Sequence, residues 1–408
     1  MPIDIENLTV NGTYKSYPND WKIVELGDLL KKIRIPVEVI PDQDYQQIGI
    51  RSHGKGLFYK ELVRGSDLGN KSVFWVQEDC LIINIVFAWE HAVAITTSKE
   101  KGMIASHRFP MWQAKEEVDL KYLYNFLLMP FGRHLLELAS PGGAGRNKTL
   151  GQDEFHRITV CIPRTIEEQQ KIIKILKTWD KAIELKEKFI NEKKILRRWL
   201  IRSLLTGQKR LPGFAKKWQL VRLGDVCKIV SGGTPDTDVN DFWGGEIPWC
   251  TPIDIASSGK YINKTRQNIS IKGVKNSSTS VLPAGSVLMC SRATIGPRSI
   301  AKCDITTNQG FKSFVCSDLI DNEYLYYYIE VLIPLFIKKA NGSTFNELSK
   351  SDVVKIVFPL PQMSEQIAIA EILSCVDREI NLYEQHLKEL KKTKKALMKM
   401  LLTGMIRV

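Results

Sequence analysis

The spacing of apolar residues predicts a long helix at the end of the chain. From Ile369 onward, apolar side chains recur at steps of three and four residues. The positions are Ile369, Ile372, Val376, Ile380, Tyr383, Leu387, Leu390, Leu397 and Leu401, with Lys394 in the one gap. This is a heptad repeat, which is typical of a helix that packs along one side on another helix.

A second stretch, in the middle of the chain, has a broader apolar stripe. Its members are Ile172, Ile175, Trp179, Ala182, Phe189, Leu196 and Leu200, flanked by Leu176, Ile183, Ile190 and Leu204. A helix of about 40 residues, roughly 60 Å long, would leave such a stripe in water if it stood alone. We therefore expect the two helices to pack on each other or on a partner.

Local signals place the helix ends. Thr165 and Glu168 have the Thr-x-x-Glu spacing of a capping box, and Ser364 is the N-cap candidate of the second helix. Each helix is predicted to end at the glycine of a Thr-Gly pair, Gly207 or Gly404, because glycine tolerates a left-handed cap.

The chain is an internal duplication. The string WKIVELGD that begins at Trp21 recurs as WQLVRLGD at Trp218, an offset of 197 residues. At the same offset, Glu168, Gln169, Ile172, Ile175, Leu176, Asp180, Ile183 and Leu185 match Glu365, Gln366, Ile369, Ile372, Leu373, Asp377, Ile380 and Leu382. The string LLTG at Leu204 also returns at Leu401. One register held over such distances indicates a repeated unit of a globular part followed by a helix.

These patterns predict an α+β fold with two globular mixed α/β domains, residues 1–163 and 213–361. The central helix occupies 164–212 and the C-terminal helix 362–408. If the helices form an antiparallel coiled coil, a pseudo-two-fold axis relates the two repeats. Two domains in inverted orientation on duplex DNA would read two separated half-sites, as dimeric DNA-binding proteins do.

Composition favours a nucleic-acid partner and no membrane. The 408 residues carry 58 Lys and Arg against 45 Asp and Glu, a formal charge of +13, which suits a polyanion as well as a well-solvated surface. No apolar run approaches the roughly 18 residues of a membrane span, and no signal peptide is visible, so we expect a cytoplasmic protein. The 8 cysteines form no CxxC pair, so neither a zinc site nor a disulfide framework is predicted.

No enzyme signature is readable, so we expect no catalytic residue and no metal site. The string from Gly142 to Thr149 resembles a phosphate-binding loop but has Asn147 where the second glycine belongs. The base-flipping loop of an adenine methyltransferase, a glycine-rich cofactor loop and a nuclease carboxylate cluster are also missing. The six histidines have no HExxH spacing.

The second globular part carries the most specific strings. They are VSGGTP from Val230, FWGGEIPWCTPID from Phe242, LPAGSVLMCSRATIG from Leu282 and TNQGF from Thr307. Together with the Trp-x-x-Val-x-Leu-Gly-Asp start and the Glu-Gln helix that ends in Leu-Leu-Thr-Gly, they resemble the specificity subunits of type I restriction-modification systems. The resemblance extends over essentially the whole chain, in both copies.

The first globular part departs from that pattern. It lacks the Ser-Gly-Gly-Thr-Pro loop and has instead IGIRSHGKG from Ile48, FAWEH from Phe87, SHRF from Ser106 and the loop at Gly142. These strings look like a different subtype of target-recognition domain. Such divergence suits two domains that read different half-sites.

The resemblance implies a non-catalytic subunit of a type I restriction enzyme that binds an asymmetric, bipartite site on double-stranded DNA. It implies as partners two modification subunits and the restriction subunits that act as motor and nuclease. S-adenosylmethionine, ATP and Mg²⁺ are then expected in those partners, and no cofactor in this chain. The helices would act as a spacer between the half-sites and as a docking surface.

The candidate DNA-binding residues are loop residues with forked, amide or basic side chains, which suit base edges and phosphates. In the first domain they are Arg51, His53, Lys55, His107, Arg108, Arg146, Asn147 and Lys148, and in the second Thr234, Arg292, Thr294, Asn308, Gln309 and Lys312. Loop packing is the alternative role for each of them. For the whole chain, the alternatives are the recognition half of another restriction or methyltransferase complex, and a coiled-coil scaffold that does not read DNA sequence.

Overall fold

The structure, a computed structural model, describes residues 17–69, 72–142, 148–340 and 347–408. The chain divides into two compact units. The first combines the chain up to Leu185 with Leu387–Val408, and the second comprises Lys186–His386. Each unit therefore contains one globular part and a portion of both long helices.

The first globular part is a mixed α/β domain with short strands. Its elements are β1 (Lys22–Glu25), α1 (Leu26–Leu29), β2 (Leu30–Ile33), β3 (Asp44–Ile50), β4 (Leu57–Arg64), β5 (Val73–Trp75), β6 (Cys80–Ile83), β7 (Val93–Ile95), β8 (Ile104–Ser106), β9 (Met111–Ala114), α2 (Leu120–Leu127), α3 (Pro130–Leu138), α4 (Gln152–His156) and β10 (Thr159–Ile162). They form the sheets β2-β9-β6-β7 and β4-β3-β8-β5, and β1 pairs with β10.

The core of this domain lies where helices cover the sheet β2-β9-β6-β7. All four residues of β6 are buried, as expected for an apolar run that is covered on both faces. Tyr122, Phe126 and Trp112 are fully buried in the same cluster. Burial of each such aromatic side chain contributes on the order of 2 kcal/mol.

The second globular part has a related order of elements. They are β11 (Gln219–Arg222), α6 (Leu223–Val226), β12 (Cys227–Ser231), β13 (Trp243–Cys250), α7 (Pro252–Ser258), β14 (Tyr261–Ile262), β15 (Gln267–Ile269), α8 (Ile271–Lys275), β16 (Val287–Cys290), β17 (Arg298–Ala301), β18 (Thr306–Thr307), β19 (Phe311–Cys316), α9 (Asn322–Lys339), α10 (Lys350–Val354) and β20 (Val357–Leu360). The sheets are β12-β19-β16-β17-β14 and β15-β13-β18, and β11 pairs with β20.

Helix α9 provides much of the second core. Its residues Tyr324, Tyr327 and Phe336 are buried against the sheet that contains β16 and β17. Asp321 caps the helix, since its carboxylate accepts a hydrogen bond from the Tyr324 amide at 2.7 Å. The expectation of two mixed α/β domains is confirmed.

The two predicted long helices are present. They are α5 (Ile166–Leu205) and α11 (Met363–Leu402), each of 40 residues. In the first unit Lys394 pairs with Asp180, and in the second Lys193 pairs with Glu379 at 2.7 Å. Residues early in one helix thus meet residues late in the other, so the helices pack antiparallel within each unit, as predicted.

The less exposed positions of both helices form one heptad seam. In α11 the seam is close to the predicted one: Gln366, Ile369, Leu373, Val376, Ile380, Tyr383, Leu387, Leu390, Lys394, Leu397 and Leu401. In α5 the positions 197 residues earlier form it: Gln169, Ile172, Leu176, Trp179, Ile183, Lys186, Ile190, Lys193, Arg197, Leu200 and Leu204.

The predicted stripe of α5 was partly wrong. Ala182, Phe189 and Leu196 are exposed, and the seam contains Lys186, Lys193 and Arg197 instead. Each of these cations has a partner in the same unit, which offsets the cost of placing a charge in the seam. Within the second unit, Arg197 pairs with Asp377, and the Lys186 ammonium lies 4.8 Å from the centre of the Tyr383 ring.

The helix ends confirm the glycine signals and correct the N-cap predictions. Gly207 and Gly404 have left-handed φ angles of 72° and 68° just beyond the last turns. Only half of the predicted capping box forms, because Thr165 Oγ1 accepts from the Glu168 amide at 3.3 Å while the Glu168 carboxylate binds Arg407. Ser364 is not an N-cap: it lies inside α11, which begins at Met363.

The duplication extends to individual contacts. Gln169 accepts a hydrogen bond from the amide of Asp119 and donates to the carbonyl of Pro163. In the second unit Gln366 accepts from the amide of Asp321 and donates to the carbonyl of Pro361. Each glutamine thereby fixes its helix to the domain at the N-cap of α2 or of α9. The helices are thus joined to both domains by the same polar contacts.

Candidate nucleic-acid interface

Two loops of the second unit meet at the ends of β12 and β18. A Cβ built on Gly232 would lie 1.9 Å from the Asn308 carbonyl oxygen, so no larger residue fits there. The amide of Gly233 donates to the Thr307 carbonyl at 2.9 Å. The Ser-Gly-Gly-Thr-Pro string therefore packs directly on the Thr-Asn-Gln-Gly-Phe string.

This packing brings two predicted DNA-binding residues together. Thr234 Oγ1 donates to Gln309 Oε1, and both side chains are exposed. Asn308 is half-buried, and its Oδ1 accepts from the Gly310 amide at 3.0 Å. The side-chain nitrogen of Gln309 can still donate a hydrogen bond to a ligand. The side-chain oxygen of Asn308, in contrast, already accepts a hydrogen bond within its own turn.

A third loop lies next to the second. The Ser291 amide donates to the Gly310 carbonyl at 2.8 Å, which brings Arg292 and Thr294 near Gln309. Ala293, between them, has a left-handed φ of 59°, a conformation that costs a non-glycine residue about 1 kcal/mol or more. Arg292 and Thr294 are exposed beside this strained residue.

Glu347 connects this loop to Lys312. Its carboxylate lies 4.0 Å from Arg292 Nε and 3.6 Å from Lys312 Nζ. Lys312 was predicted as a loop residue, but it lies within β19 and its exposed fraction is only 4%. Burial lowers the pKa of Lys312, an effect that the neighbouring Glu347 opposes. Lys312 thus supports the loop from inside the sheet.

In the first unit the loop Phe87–His91 holds the predicted residues together. The His53 amide donates to the Glu90 carbonyl at 2.7 Å, and Ser52 Oγ donates to the Glu90 carboxylate at 2.9 Å. His53 and His91 both have left-handed φ angles, 63° and 58°. The exposed His53 ring therefore stands on a tightly fixed, strained turn.

Lys148 and Trp89 form the next part of this surface. The Lys148 ammonium lies 5.6 Å from the centre of the Trp89 ring and pairs with Glu137 at 2.6 Å. Arg133 Nε donates to the Trp89 carbonyl at 3.1 Å. An indole face and two cations thus adjoin each other, a combination that suits phosphates and bases.

The remaining predicted residues of the first unit lie on two turns. The Arg108 carbonyl accepts from the Ile85 amide at 3.0 Å, which places His107 and Arg108 beside the segment that leads to Trp89. Arg51 has its guanidinium 3.1 Å from the Leu57 carbonyl oxygen and over the Phe58 ring, while Lys55 is exposed. Arg146 and Asn147 lie outside the described residues.

His91 shows the electrostatic character of this surface. Burial, and then the positive charge of Arg133, lower the pKa of His91. Both effects favour the neutral ring, which can accept as well as donate a hydrogen bond. Its Nε2 is buried and has no hydrogen-bond partner among the described residues.

Sequence reasoning missed the residues that hold these loops. Glu347, Glu90 and Arg133 fix Arg292, His53 and Trp89, yet only the FAWEH string had drawn attention to this part of the first unit. No local signal brings residue 347 next to residues 292 and 312, because those contacts depend on the tertiary fold.

Neither a metal-binding cluster nor a membrane-spanning helix is found among the described residues. Across the described parts of the chain, no group of three or more His, Cys, Asp or Glu residues is placed to hold a metal ion. Within those same ranges, no helix is long and apolar enough to cross a bilayer. The surface offers hydrogen-bond donors from guanidinium, amide and imidazole groups, which lie on short, fixed loops.

Comparison with known proteins identifies the family. The family described as "Type I restriction modification DNA specificity domain" matches residues 18–193 and again 215–392. The MjaIX specificity subunit of Methanocaldococcus jannaschii is 38% identical over 183 residues, which cover 44% of this chain and 42% of that subunit. The putative MjaX specificity subunit of the same organism is 24% identical over 96% of this chain and 95% of its own length.

Solved structures agree on the fold. A crystal structure of the HsdS subunit from Thermoanaerobacter tengcongensis superposes with a TM-score of 0.58 at 20% identity, over 97% of this chain and 99% of the other. Because the family matches both halves of the sequence, the chain belongs to the type I restriction modification DNA specificity family, the non-catalytic subunits that give a type I restriction-modification complex its DNA target.

Proposed function

We propose that this chain reads an asymmetric, bipartite DNA site in which residues 1–163 read one half and residues 213–361 read the other. One observation carries the proposal: the helices make equivalent contacts in both units, whereas the loops differ. Gln169 and Gln366 hold their domains alike. The loops at Trp89 and at Gln309 have no counterpart in each other's sequence. Equivalent helices that carry domains with different loops suit a DNA site whose two half-sites differ in sequence.

The reading residues in the second domain are Arg292 and Gln309, with Thr234, Thr294 and Asn308 beside them. Arginine pairs with guanine and glutamine with adenine in the major groove. Glu347 restrains the Arg292 guanidinium, so less conformational freedom is lost on binding. Lys312 acts on this loop indirectly through Glu347.

In the first domain, the reading residues are His53, Arg108 and Lys148, supported by Arg51, Lys55 and His107. Lys148 beside Trp89 suits a phosphate contact, because lysine acts as a compact point charge. His53 can reach a base edge from its fixed turn. Arg146 and Asn147 belong to the same set by their sequence position.

The helical segments 164–212 and 362–408 set the number of unread bases between the half-sites. Their heptad seam has the same register in both repeats, so the helices can act as a rigid spacer. The antiparallel packing of the helices within each unit supports this spacer role.

The partners follow from the family. Specificity subunits carry no cofactor, and S-adenosylmethionine and ATP bind the partner subunits. We assign two modification subunits and the restriction subunits as partners of this chain, with Mg²⁺ required in the restriction subunits. Such a complex acts on double-stranded DNA in the cytoplasm.

An exchange of domains tests the proposal. Residues 213–361 are replaced by the corresponding domain of another family member, and the complex with modification subunits and S-adenosylmethionine methylates a library of random duplexes. Sequencing of the methylated molecules should show one half-site changed and the other retained. The matched control exchanges residues 1–163 and should change the opposite half. A change in both halves, or in neither, would contradict the proposal.

A further inference from the structure

Each unit has a groove between its long helix and the start of a domain helix. In the first unit the groove has a volume of about 750 Å³ and is lined by Lys121, Lys174, Lys177 and Lys181, with Ile173 and Leu185 among the apolar residues. We call it the lysine groove. Asp119 is the one acidic residue among those that line it.

The second unit has a counterpart at the repeat-related positions. That groove, of about 1310 Å³, includes Glu371, Ser374 and Arg378, which lie 197 residues after Lys174, Lys177 and Lys181. Glu323 follows the α9 cap Asp321 at the same distance as Lys121 follows the α2 cap Asp119. The two grooves therefore occupy equivalent places in the repeats.

Their charges differ strongly. Six cationic and six anionic residues line the groove of the second unit, and many are paired with one another. Arg197 contacts Glu330 at 3.1 Å, and Lys194 contacts Glu384 at 2.6 Å. In the lysine groove, four lysines stand against Asp119, whose carboxylate already accepts from the amides that begin α2.

The lysines are poorly compensated. Among the described residues, no hydrogen bond or ion pair joins the side chains of Lys121, Lys174 or Lys177 to another group, and Lys181 contacts only the exposed Glu184, at 3.1 Å. Lys174, Lys177 and Lys181 are spaced by three and four residues on one face of α5, where like charges repel. An acidic ligand would relieve that repulsion.

The groove also offers apolar area. Ile173 is buried at its base, while Leu185 remains 53% exposed. A ligand that matches both features carries carboxylates on one side and apolar residues on the other, as an amphipathic acidic helix does.

The location favours a protein over DNA. Lys121 lies at the N-terminal end of α2, whereas the His53 turn packs at its C-terminal end, where a Cβ on Gly54 would lie 2.7 Å from Leu128. The helix Leu120–Leu127 separates the two places by about 12 Å. The groove thus lies at the end of α2 away from the loops assigned to DNA.

We propose that the lysine groove is the docking site for an acidic amphipathic helix of a protein partner. This inference rests on the proposed function in naming that partner as a modification subunit. The charge-balanced groove of the second unit does not share this preference, so two copies of one partner meet unequal sites on this chain. Docking in the first unit weakens with salt, because exposed ion pairs are screened.

The test uses the full-length chain and a fluorescein-labelled peptide of about 20 residues, long enough to form a helix, built from Leu and Glu at amphipathic spacing. A peptide with Lys in place of Glu is the charge control. Binding is followed by fluorescence anisotropy. The Glu peptide should bind, the Lys peptide should not, and raising the salt from about 0.1 M to about 0.5 M should weaken binding.

Charge reversal localises the site. The variant Lys174→Glu, Lys177→Glu, Lys181→Glu should lose about tenfold or more in affinity for the Glu peptide. Lys188→Glu, on an exposed position of the same helix, is the matched control and should bind as the unchanged chain does. The neutral variant Lys174→Gln, Lys177→Gln, Lys181→Gln should show an intermediate loss, and circular dichroism should show native helix content in all variants.

Two results would overturn the inference. One is equal binding of the Glu and Lys peptides. The other is that the charge-reversed variant binds the Glu peptide with full affinity. This result would contradict the inference even if the same variant bound a random DNA duplex more weakly. The peptide assay needs no recognition of a DNA sequence, so its failure is distinguishable from a failure of the domain exchange.

Discussion

Arg210 and Glu365 form a two-pronged ion pair, with the Arg210 Nε and Nη2 atoms 2.6 and 2.7 Å from the two carboxylate oxygens. Trp218 Nε1 donates to the same carboxylate at 3.0 Å. Within the first unit Arg407 binds Glu168 in the same way, with its Nε and Nη2 atoms 2.6 and 2.9 Å from the two carboxylate oxygens. Each arginine lies three residues after a Thr-Gly glycine, so the end of one helix is held at the start of the other.

Removal of this carboxylate should destabilise the second unit. The Glu365 side chain is 2% exposed, so Glu365→Ala leaves Arg210 and the Trp218 indole without their acceptor. We expect a loss of about 3 kcal/mol in the free energy of unfolding, measured by urea denaturation. Glu389→Ala, at a position where the glutamate side chain is 64% exposed, should change it by less than about 0.5 kcal/mol. Equal stability of both variants would show that the ion pair contributes little.

The loops of the second domain should affect one half-site only. Arg292→Ala or Gln309→Ala should cost about 1 to 3 kcal/mol in binding and relax the preference at single base positions of that half-site. Lys148→Ala in the first domain should weaken binding to all sequences about equally and reduce its salt dependence. Anisotropy titrations with singly substituted duplexes measure these effects. If Arg292→Ala weakened binding to all duplexes equally, Arg292 would contact a phosphate and not a base.

The length of the helices should set the spacer. Insertion of seven residues between Leu185 and Lys186 and seven between His386 and Leu387 preserves the heptad seam. Each helix then grows by about 10.5 Å, near three base pairs at 3.4 Å each. The unread segment should lengthen by about three bases while both half-sites keep their sequences. Insertion of two residues at each point breaks the seam and should abolish specific binding. An unchanged spacer after the longer insertion would contradict this role.

Buried thiols should make the fold sensitive to alkali. Burial raises the pKa of Cys80 from 9.0 to about 11 and that of Cys161 equally. An unfolded thiol loses its proton first, so this stability is complete below pH 9 and is lost as the pH rises through 11. The free energy of unfolding should fall by about 2 to 3 kcal/mol per thiol over that range. Cys80→Ala should show a shallower fall in urea denaturation than the exposed Cys375→Ala. If the two variants lost stability equally with rising pH, burial of the Cys80 thiol would not be the cause of the alkaline sensitivity.

The sequence predicts the periodic features of this protein well. The two 40-residue helices follow from the local spacing of apolar residues, and the repeat follows from many matches at one offset. Both predictions are confirmed. The charged part of the α5 seam was not predictable, since Arg197 is acceptable there only because Asp377 and Glu330 lie within reach. Lys312 was misplaced for a similar reason: its burial in β19 depends on Glu347, which comes from a distant segment.

A selection of DNA targets tests the proposed bipartite recognition most directly. The full-length chain, assembled with modification subunits and S-adenosylmethionine, is incubated with a library of random duplexes, and the methylated molecules are sequenced. We expect one asymmetric motif made of two different half-sites, separated by a constant number of bases without preference. Methylated molecules that share no motif, or that share a single uninterrupted one, would contradict it.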